Sequence, residues 1–274
     1  MDLSDPRYLK VIELAQKIGE LLVRYQSGNL NVESKENDRF NPVTIADKEA
    51  DAMAREAIGK LFPTNAILSE ESSEIPSDYS SDVWMIDPLD GTKSYIKGDD
   101  SFGVHIGLCR NGRPVFGVVN VPRKHLLYFG EVGRGAFVLA QESRRQIFVS
   151  ATKTLSEARL IIRKDSSEVR PSYEVIDSMS VGKRIPSSGI GVALGLISDG
   201  SADVYIATNR RLSKWDTCAP EAILREAGGE VTDLLGRPLD YKQSELRWKD
   251  SMFASNKILR AQLLEYSKKV LEKL

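Results

Sequence analysis

The stretch that decides the fold is VWMIDPLDGTKSYIKGDD, residues 83–100, in which an apolar run meets two aspartates, a proline and a glycine-threonine turn. Residues 83–86 are short, β-branched and aromatic, which predicts a buried strand. Pro88 and Gly91 are of the types that interrupt regular structure. Asp87 and Asp90 are therefore expected just past the carboxyl end of this strand, where open α/β sheets place their ligands.

The composition is that of an ordinary globular protein and argues against two classes of partner. The chain has 274 residues, 41% hydrophobic and 28% charged, with a formal net charge of −1. This length is sufficient for a sizeable core. Proteins that bind nucleic acids or membrane surfaces in general carry a strong basic excess. We therefore expect neither a nucleic acid polymer nor a membrane as partner.

The cysteines, the histidines and the N-terminal region argue against disulfide-rich, zinc-binding and membrane-inserted proteins. Cys109 and Cys218 are the only cysteines, and His105 and His125 the only histidines, so neither a disulfide framework nor a zinc-site spacing is present. A cytoplasmic location is the expectation for such a chain. Residues 1–22 are interrupted by charges, so we expect neither a signal peptide nor a transmembrane span.

The order of apolar patterns predicts a layered α+β protein in two halves. Helical spacing appears twice before residue 62, and residues 102–148 read as short strands punctuated by glycine and proline, typical of an antiparallel sheet. After about residue 150, strand-like and helix-like segments alternate. We expect an N-terminal half, 1–150, with the antiparallel sheet and most acidic site residues, and a C-terminal half, 151–274, with Asp216.

Acidic residues stand at the edges of these predicted elements. They are Asp47 near a helix start, Glu70 after a strand, Asp87 with Asp90, and Asp216 before TCAPEAILREAGG. Taken singly, each has a structural explanation as a helix cap, a first-turn acid or a turn residue. Taken together, carboxylates without histidine or thiolate partners form the oxygen-only set that Mg²⁺ prefers.

Five motifs in order make the chain resemble a known superfamily. They are NPVTIADKEAD at 41–51, LSEES at 68–72, DPLDGT at 87–92, WD at 215–216 and GG at 228–229. The set resembles the signature of the lithium-sensitive phosphatases, which include inositol monophosphatases, 3'(2'),5'-bisphosphate nucleotidases and fructose-1,6-bisphosphatases. The resemblance implies a layered αβαβα sandwich and a magnesium-dependent, lithium-inhibited phosphoric monoester hydrolase. It further implies a small phosphorylated metabolite as substrate, and a monomer or homodimer.

The same resemblance assigns roles to individual residues. Glu70, Asp87 and the Leu89 carbonyl would ligate one metal, and Asp87, Asp90 and Asp216 a second, with two or three Mg²⁺ ions per active site. Asp47 and Thr92 match the pair that orients the attacking water, and Glu70 is counted with them as catalytic. Ser69 departs from the glycine of many relatives, and Glu71 is expected to be a hydrogen-bonding neighbour. Neither histidine falls in a motif, so each is expected to be a packed or surface residue rather than a general base.

The substrate is expected to be a bisphosphate nucleotide. DPLDGTK with Lys93, and KWDTCAPE at 214–221, look like the nucleotidases that act on 3'-phosphoadenosine 5'-phosphate. Two nucleotidase features are missing, since RKDSSEVRPSY replaces a serine-arginine-serine-histidine stretch and Ala193 stands where a lysine is expected. The expected substrate contacts are Gly91, Thr92, Lys93, Gly189, Arg210, Arg211 and Lys214. The last three form a basic cluster, for which a solvated charged loop is the alternative.

Other functions remain open at this point. Inositol-1-monophosphatase and fructose-1,6-bisphosphatase activities are the enzymatic alternatives, and a catalytically silent binding protein on the same fold is the non-enzymatic one. GIGVALG at 189–195 suggests a dinucleotide site only weakly, because its glycine spacing is wrong and RIPSS before it makes a poor strand.

Overall fold

Helices and strands alternate along the part of the chain that the computed structural model describes, residues 3–28, 33–34, 42–163, 171–187, 189–207, 212–248 and 251–272. The helices are α1 Arg7–Gln26, α2 Ile45–Leu61, α3 Thr92–Ile96, α4 Pro171–Asp177, α5 Ile190–Ser198, α6 Lys214–Glu226 and α7 Arg260–Leu271. The strands are β1 Glu33–Ser34, β2 Pro42–Val43, β3 Ala66–Ser69, β4 Val83–Asp90, β5 Gly103–Arg110, β6 Arg113–Val121, β7 Leu126–Glu131, β8 Gly135–Ala140, β9 Ser143–Gln146, β10 Arg159–Arg163, β11 Lys183–Ser187, β12 Val204–Ala207, β13 Glu230–Asp233 and β14 Met252–Ser255. None of the described helices is both long and apolar enough to cross a membrane.

Two larger sheets organise the chain. The first has seven strands in the order β3-β4-β5-β6-β7-β8-β9, with β3 parallel to β4 and every later pair antiparallel. The second has five strands in the order β11-β10-β12-β14-β13, in which β10 runs parallel to both β11 and β12. The strands of the seven-stranded sheet all precede residue 150, and those of the five-stranded sheet all follow it.

Helices fill the spaces around and between these sheets. One core cluster joins α1 and α2 to one face of the seven-stranded sheet. A second cluster places α5 and α6 between the two sheets, and a third packs α4 and α7 on the outer face of the five-stranded sheet. The order of layers is therefore α, β, α, β, α, which confirms the predicted α+β sandwich.

Strand β4 shows why this packing follows from its sequence. Trp84 and Ile86 belong to the cluster with α1 and α2, whereas Val83 and Met85 belong to the cluster between the sheets. Since successive side chains of a strand point to opposite faces, a continuous apolar run is what a strand buried on both faces requires.

The predicted end of this strand was wrong. β4 continues through Asp87 to Asp90, which pairs with Gly103, and the register with β5 shifts between the two aspartates. Such an irregularity accommodates Pro88, which has no N–H for the ladder. The two aspartates are therefore held by strand pairing instead of lying in a loop.

Helix α6 lies against the seven-stranded sheet because two glycines leave room for it. A methyl group on Gly107 would lie 2.6 Å from Ala219 N, and one on Gly117 would lie 2.2 Å from Ala219 O. Real Cβ atoms do not approach a backbone so closely, so the glycines permit direct contact between the strands and the helix. A C-terminal helix is thus anchored on the N-terminal sheet, and Asp216 is carried by it.

Candidate active site

Three carboxylates converge where the two sheets meet the inner helices. Glu70 follows β3, Asp87 lies in β4 and Asp216 lies in the first turn of α6. One oxygen from each lies within 4.8 Å of the others. Asp87 is buried and the other two are partly buried. Sequence positions up to 146 residues apart therefore form one cluster, because strand and helix ends are brought together.

Burial and mutual repulsion make this cluster costly without a cation. Burial, followed by the charges of Glu70, Asp216 and Asp90, raises the pKa of Asp87 well above its ordinary value. Burial and the charge of Glu70 raise the pKa of Asp216 in the same way. Desolvation and like charges both penalise the ionised form. A bound divalent cation would offset this penalty, and an all-oxygen donor set fits Mg²⁺.

Asp47 and Thr92 form a second pair beside the cluster. Asp47 is buried at the start of α2, where its Oδ2 accepts hydrogen bonds from the Thr44 N–H at 2.8 Å and from Thr44 Oγ1 at 2.5 Å. Thr92 Oγ1 lies 3.3 Å from Asp47 Oδ1 and 3.2 Å from the Leu89 carbonyl oxygen. The capping box that begins α2 therefore fixes one carboxylate oxygen and leaves the other for Thr92.

Glu70 is positioned by the residue before it. Ser69 Oγ donates to Asp51 Oδ1 on α2, and Asp51 Oδ2 accepts a hydrogen bond of 2.7 Å from Arg55 Nε. The Glu70 N–H donates to the Ile86 carbonyl at 3.1 Å. The serine that departs from the common glycine thus ties the end of β3 to the helix that carries Asp47.

Asp90 lies outside the group of three and faces α5. Its Oδ2 accepts a hydrogen bond of 3.2 Å from the Gly191 N–H and lies 3.4 Å from His105 Nε2. Gly189, with φ of +79°, is the N-cap of α5, and a methyl group there would lie 2.7 Å from Asp90 Oδ2. Gly189 therefore borders the site. A strand, Lys183–Ser187, does precede this helix, contrary to the sequence expectation.

The expected substrate contacts have different outcomes. Gly91 and Thr92 join β4 to α3 beside the cluster, and Lys93 is exposed in the first turn of α3. Arg210 and Arg211 lie outside the described residues.

Lys214 is not a substrate contact, which corrects the sequence prediction. Its side chain is fully buried, its Nζ donates to the Gln243 carbonyl, and Nζ lies 3.5 Å from the centroid of the Tyr79 ring. Burial lowers its pKa to about 8. This ammonium group is therefore used inside the protein, where it holds two loops against the start of α6.

Three site-bordering residues were missed from the sequence: His105, Gly191 and Asp51. His105 was expected to be packed, and it is fully buried. Its strand register, directly opposite Asp87, was the signal that could have placed it beside the site. Asp51 stands four residues after Asp47, so a helical reading puts both on one face. Nothing in the sequence indicated that Gly191 would reach Asp90.

Comparison with known proteins agrees with this geometry. The sequence profile of the inositol monophosphatase family matches residues 5–272. A histidinol-phosphatase from Chlorobaculum parvum is 35% identical over 82% of this chain and 85% of its own length. A 3'(2'),5'-bisphosphate nucleotidase CysQ from Aggregatibacter actinomycetemcomitans is 30% identical over 86% of this chain and 87% of its own. An IMPase from Thermotoga maritima has a TM-score of 0.84 and 27% identity, covering 98% of this chain and 99% of that one. The chain therefore belongs to the inositol monophosphatase family and is a phosphoric monoester hydrolase.

Proposed function

We propose that this protein is a Mg²⁺-dependent, Li⁺-inhibited 3'(2'),5'-bisphosphate nucleotidase that acts on 3'-phosphoadenosine 5'-phosphate. The observation that carries the hydrolase assignment is the convergence of Glu70, Asp87 and Asp216 within 4.8 Å. The raised pKa values of Asp87 and Asp216 mean that their ionised forms are unfavourable in the metal-free protein. A divalent cation would stabilise those ionised forms, so the cluster is suited to binding one.

Two sets of oxygen ligands are available for two or three ions. Glu70, Asp87 and the Leu89 carbonyl would hold one ion, and Asp87, Asp90 and Asp216 a second. A bound ion lowers the pKa of its water and neutralises charge on the phosphoryl oxygens. The protein residues then need only hold the phosphate and orient the water.

Asp47 and Thr92 are the residues that orient the water. Asp47 Oδ2 accepts hydrogen bonds from Thr44, and Oδ1 accepts one from the Thr92 hydroxyl. With its own hydrogen directed to Asp47 or to the Leu89 carbonyl, Thr92 Oγ1 presents its lone pairs and can accept a hydrogen bond from the attacking water. A nucleophilic side chain is not required by this arrangement.

The nucleotide assignment rests on the sequence around the cluster. Lys93 follows Thr92 directly and is exposed at the start of α3, where a cation can meet a phosphate beyond the one that is hydrolysed. The CysQ relative supports the same substrate class. With Lys214 buried, the basic cluster reduces to Arg210 and Arg211, which remain proposed contacts.

A second candidate is histidinol phosphate. It is favoured by the 35% identity to the histidinol-phosphatase of Chlorobaculum parvum. This substrate carries a single phosphate and a cationic amine, so a lysine beside the phosphate site would give it no advantage.

Phosphate release from a substrate panel tests the proposal. The panel comprises 3'-phosphoadenosine 5'-phosphate, histidinol phosphate, inositol 1-phosphate and fructose 1,6-bisphosphate, each with Mg²⁺, with excess chelator and with Li⁺. We expect the highest kcat/KM for the bisphosphate nucleotide, loss of turnover in chelator, and inhibition by Li⁺. Undiminished turnover in chelator would refute the metal assignment, and a preference for histidinol phosphate would establish the second candidate.

A lysine variant adds a test of specificity within the same panel. Lys93→Ala should lower kcat/KM for the bisphosphate nucleotide by about 5- to 150-fold more than for inositol 1-phosphate, since a charged hydrogen bond is worth roughly 1–3 kcal/mol. Lys97→Ala, at the other end of α3, is the matched control and should not discriminate. Equal losses on both substrates in Lys93→Ala would remove Lys93 from the specificity argument.

A further inference from the structure

His105 is a buried imidazole beside the site with no assigned role. It lies in β5, directly opposite Asp87 of β4, and none of its surface is exposed. Neither ring nitrogen has a hydrogen-bond partner that meets ordinary geometry among the described residues. A buried polar group of this kind costs free energy unless it is paired, so its presence next to the carboxylates needs a physical reason.

The space around the ring is shaped by glycine. A methyl group on Gly191 would lie 2.0 Å from His105 Nε2, so any larger residue there would displace the imidazole. The Gly191 N–H meanwhile donates to Asp90 Oδ2 at 3.2 Å. The same residue therefore makes room for the ring and binds the carboxylate that the ring faces.

Asp90 Oδ2 is the acceptor that this geometry offers to His105. The Nε2 to Oδ2 separation is 3.4 Å, slightly longer than the usual range of about 2.7–3.2 Å for an N–H···O hydrogen bond. Hydrogen bonds in active sites without ligands are often long. Because an ionised carboxylate can only accept, Nε2 must carry the proton when this bond forms.

We propose that His105 is a positioning residue for Asp90, holding Oδ2 together with the Gly191 N–H so that Oδ1 is available to a divalent cation. The inference rests on the metal site of the proposed function and assigns a role to His105 and Gly191, which lie outside its ligand set. Hydrogen-bond partners of metal-ligating carboxylates typically change metal affinity or activity by about 10- to 100-fold. His105 and Gly191, from the two halves of the chain, would thus fix the orientation of one ligand.

Two substitutions of matched length separate hydrogen bonding from packing. His105→Gln keeps an N–H donor near the position of Nε2, whereas His105→Met has similar length and volume without a donor. Binding of Mg²⁺ alone, by calorimetry or by the Mg²⁺-dependent rise in melting temperature, is measured without substrate. We expect Mg²⁺ affinity to fall about 10- to 100-fold in His105→Met and to stay within about threefold of wild type in His105→Gln. At saturating Mg²⁺, KM for the phosphate substrate should be unchanged in both.

Equal Mg²⁺ affinity in wild type and His105→Met would overturn the proposal. Equal losses of affinity in His105→Met and His105→Gln would also overturn it, because the imidazole would then act through its shape or as a metal ligand itself. If His105→Met fails to fold, Gly191→Ala takes its place, because the added methyl group displaces Nε2. Folded Gly191→Ala with wild-type Mg²⁺ affinity would equally overturn it. Absence of Mg²⁺ binding in the wild type would refute the metal site together with this inference, whereas normal wild-type binding with an unaffected His105→Met refutes the role of His105 alone.

Discussion

At the scale of single residues, Asp87 is a buried carboxylate at the centre of the site, and its ionisation is opposed by burial and by neighbouring carboxylates. Asp87 is buried and faces three other carboxylates, whereas Asp203, also buried, accepts hydrogen bonds from Arg159 at 2.7, 2.8 and 3.0 Å. Burial alone would raise the pKa of Asp203, but hydrogen bonds from Arg159 and Ser150 lower it. Asp87 and Asp203 are equally buried, but in the metal-free protein the charge of Asp87 lowers the stability of the fold, whereas that of Asp203 raises it.

Replacement of each aspartate by asparagine tests this contrast. Asp87→Asn should raise the metal-free free energy of unfolding by at least about 1 kcal/mol, because repulsion is relieved while the Leu89 N–H keeps its acceptor. Turnover should fall more than about 100-fold through loss of a ligand. Urea unfolding in chelator and phosphate release with Mg²⁺ are the measurements.

Asp203→Asn is the matched control, and it should lower stability by about 2 kcal/mol with an unchanged Mg²⁺ dependence, since its ion pair lies away from the cluster. A marked loss of metal-free stability in Asp87→Asn would show instead that the carboxylate is a structural residue.

The order of the sequence motifs predicted the acidic cluster, but not where every charged side chain would lie. The five motifs specified Glu70, Asp87 and Asp216, which the structure brings together. The position of Lys214 was misjudged because residues next to a proposed ligand in sequence need not face the same site. Its position in the first turn of α6 turns the side chain toward Tyr79 and Gln243. The direction of a helical side chain depends on packing that only the fold supplies.

At the scale of elements, α2 and α6 each hold an aspartate of the site through a capping box at the helix start. Thr44 caps α2 and Ser213 caps α6, and each N-cap N–H donates to the aspartate three residues on, Asp47 or Asp216. A capping box fixes the N3 side chain against the helix end. The T-x-x-D and S-x-x-D patterns were visible in the sequence, and the structural explanation of these acids as capping residues is compatible with their proposed roles in the site.

Helix α6 also carries a buried glutamate whose titration should be visible in stability. Burial raises the pKa of Glu221 to about 7, although a 2.9 Å hydrogen bond from Tyr241 opposes the shift. Because this folded-state pKa lies above the unfolded value of 4.5, the folded state retains a proton that the unfolded state loses. The contribution of this proton to the free energy of unfolding is fully present below pH 4.5 and is lost as the pH rises to about 7.

Glu221→Gln should remove this pH dependence. We expect the variant and the wild type to be similar near pH 4.5, and the variant to be more stable above pH 7 by on the order of 3 kcal/mol. Urea unfolding in metal-free buffer between pH 5 and 8 measures the difference, and titration of the site carboxylates cancels between the two proteins. Glu142→Gln, exposed in the turn between β8 and β9, should follow the wild type. A constant difference across the range would contradict the assignment.

The elements were predictable where pattern and packing agree. The continuous apolar run of β4 predicted a strand buried on both faces, and GIGVALGLI predicted the helix found as Ile190–Ser198. The end of β4 and the strand Lys183–Ser187 were not predicted, because each contains a proline that local preferences place outside strands. Pairing with neighbouring strands outweighs that preference, and pairing is not visible in a single segment.

At the scale of the whole molecule, the site joins the two halves of the chain. Asp87 lies in the seven-stranded sheet and Glu70 directly follows its strand β3, whereas Asp216 comes from α6 and the Gly191 N–H from α5, both C-terminal in sequence. Glycines at 107 and 117 allow α6 to lie directly on the N-terminal sheet. The proposed division at residue 150 therefore separates sheets rather than independent cores, since the cluster between the sheets contains residues of both halves.

This arrangement predicts that Mg²⁺ stabilises the whole protein in one cooperative transition. A ligand that binds only the folded state adds RT ln(1 + [L]/Kd), about 2.7 kcal/mol at one hundred times Kd, which corresponds to a rise in melting temperature of roughly 5 °C for a chain of this size. Because the proposed ligands come from both halves, secondary structure and tertiary packing should be lost together, and far-UV and near-UV circular dichroism should report the same shift. Asp87→Asn, which lacks the shared ligand, should show little of this rise, and Na⁺ at equal ionic strength should produce none. An equal rise in Asp87→Asn would place Mg²⁺ binding elsewhere on the molecule, and a shift confined to one probe would show that unfolding is not a single cooperative transition.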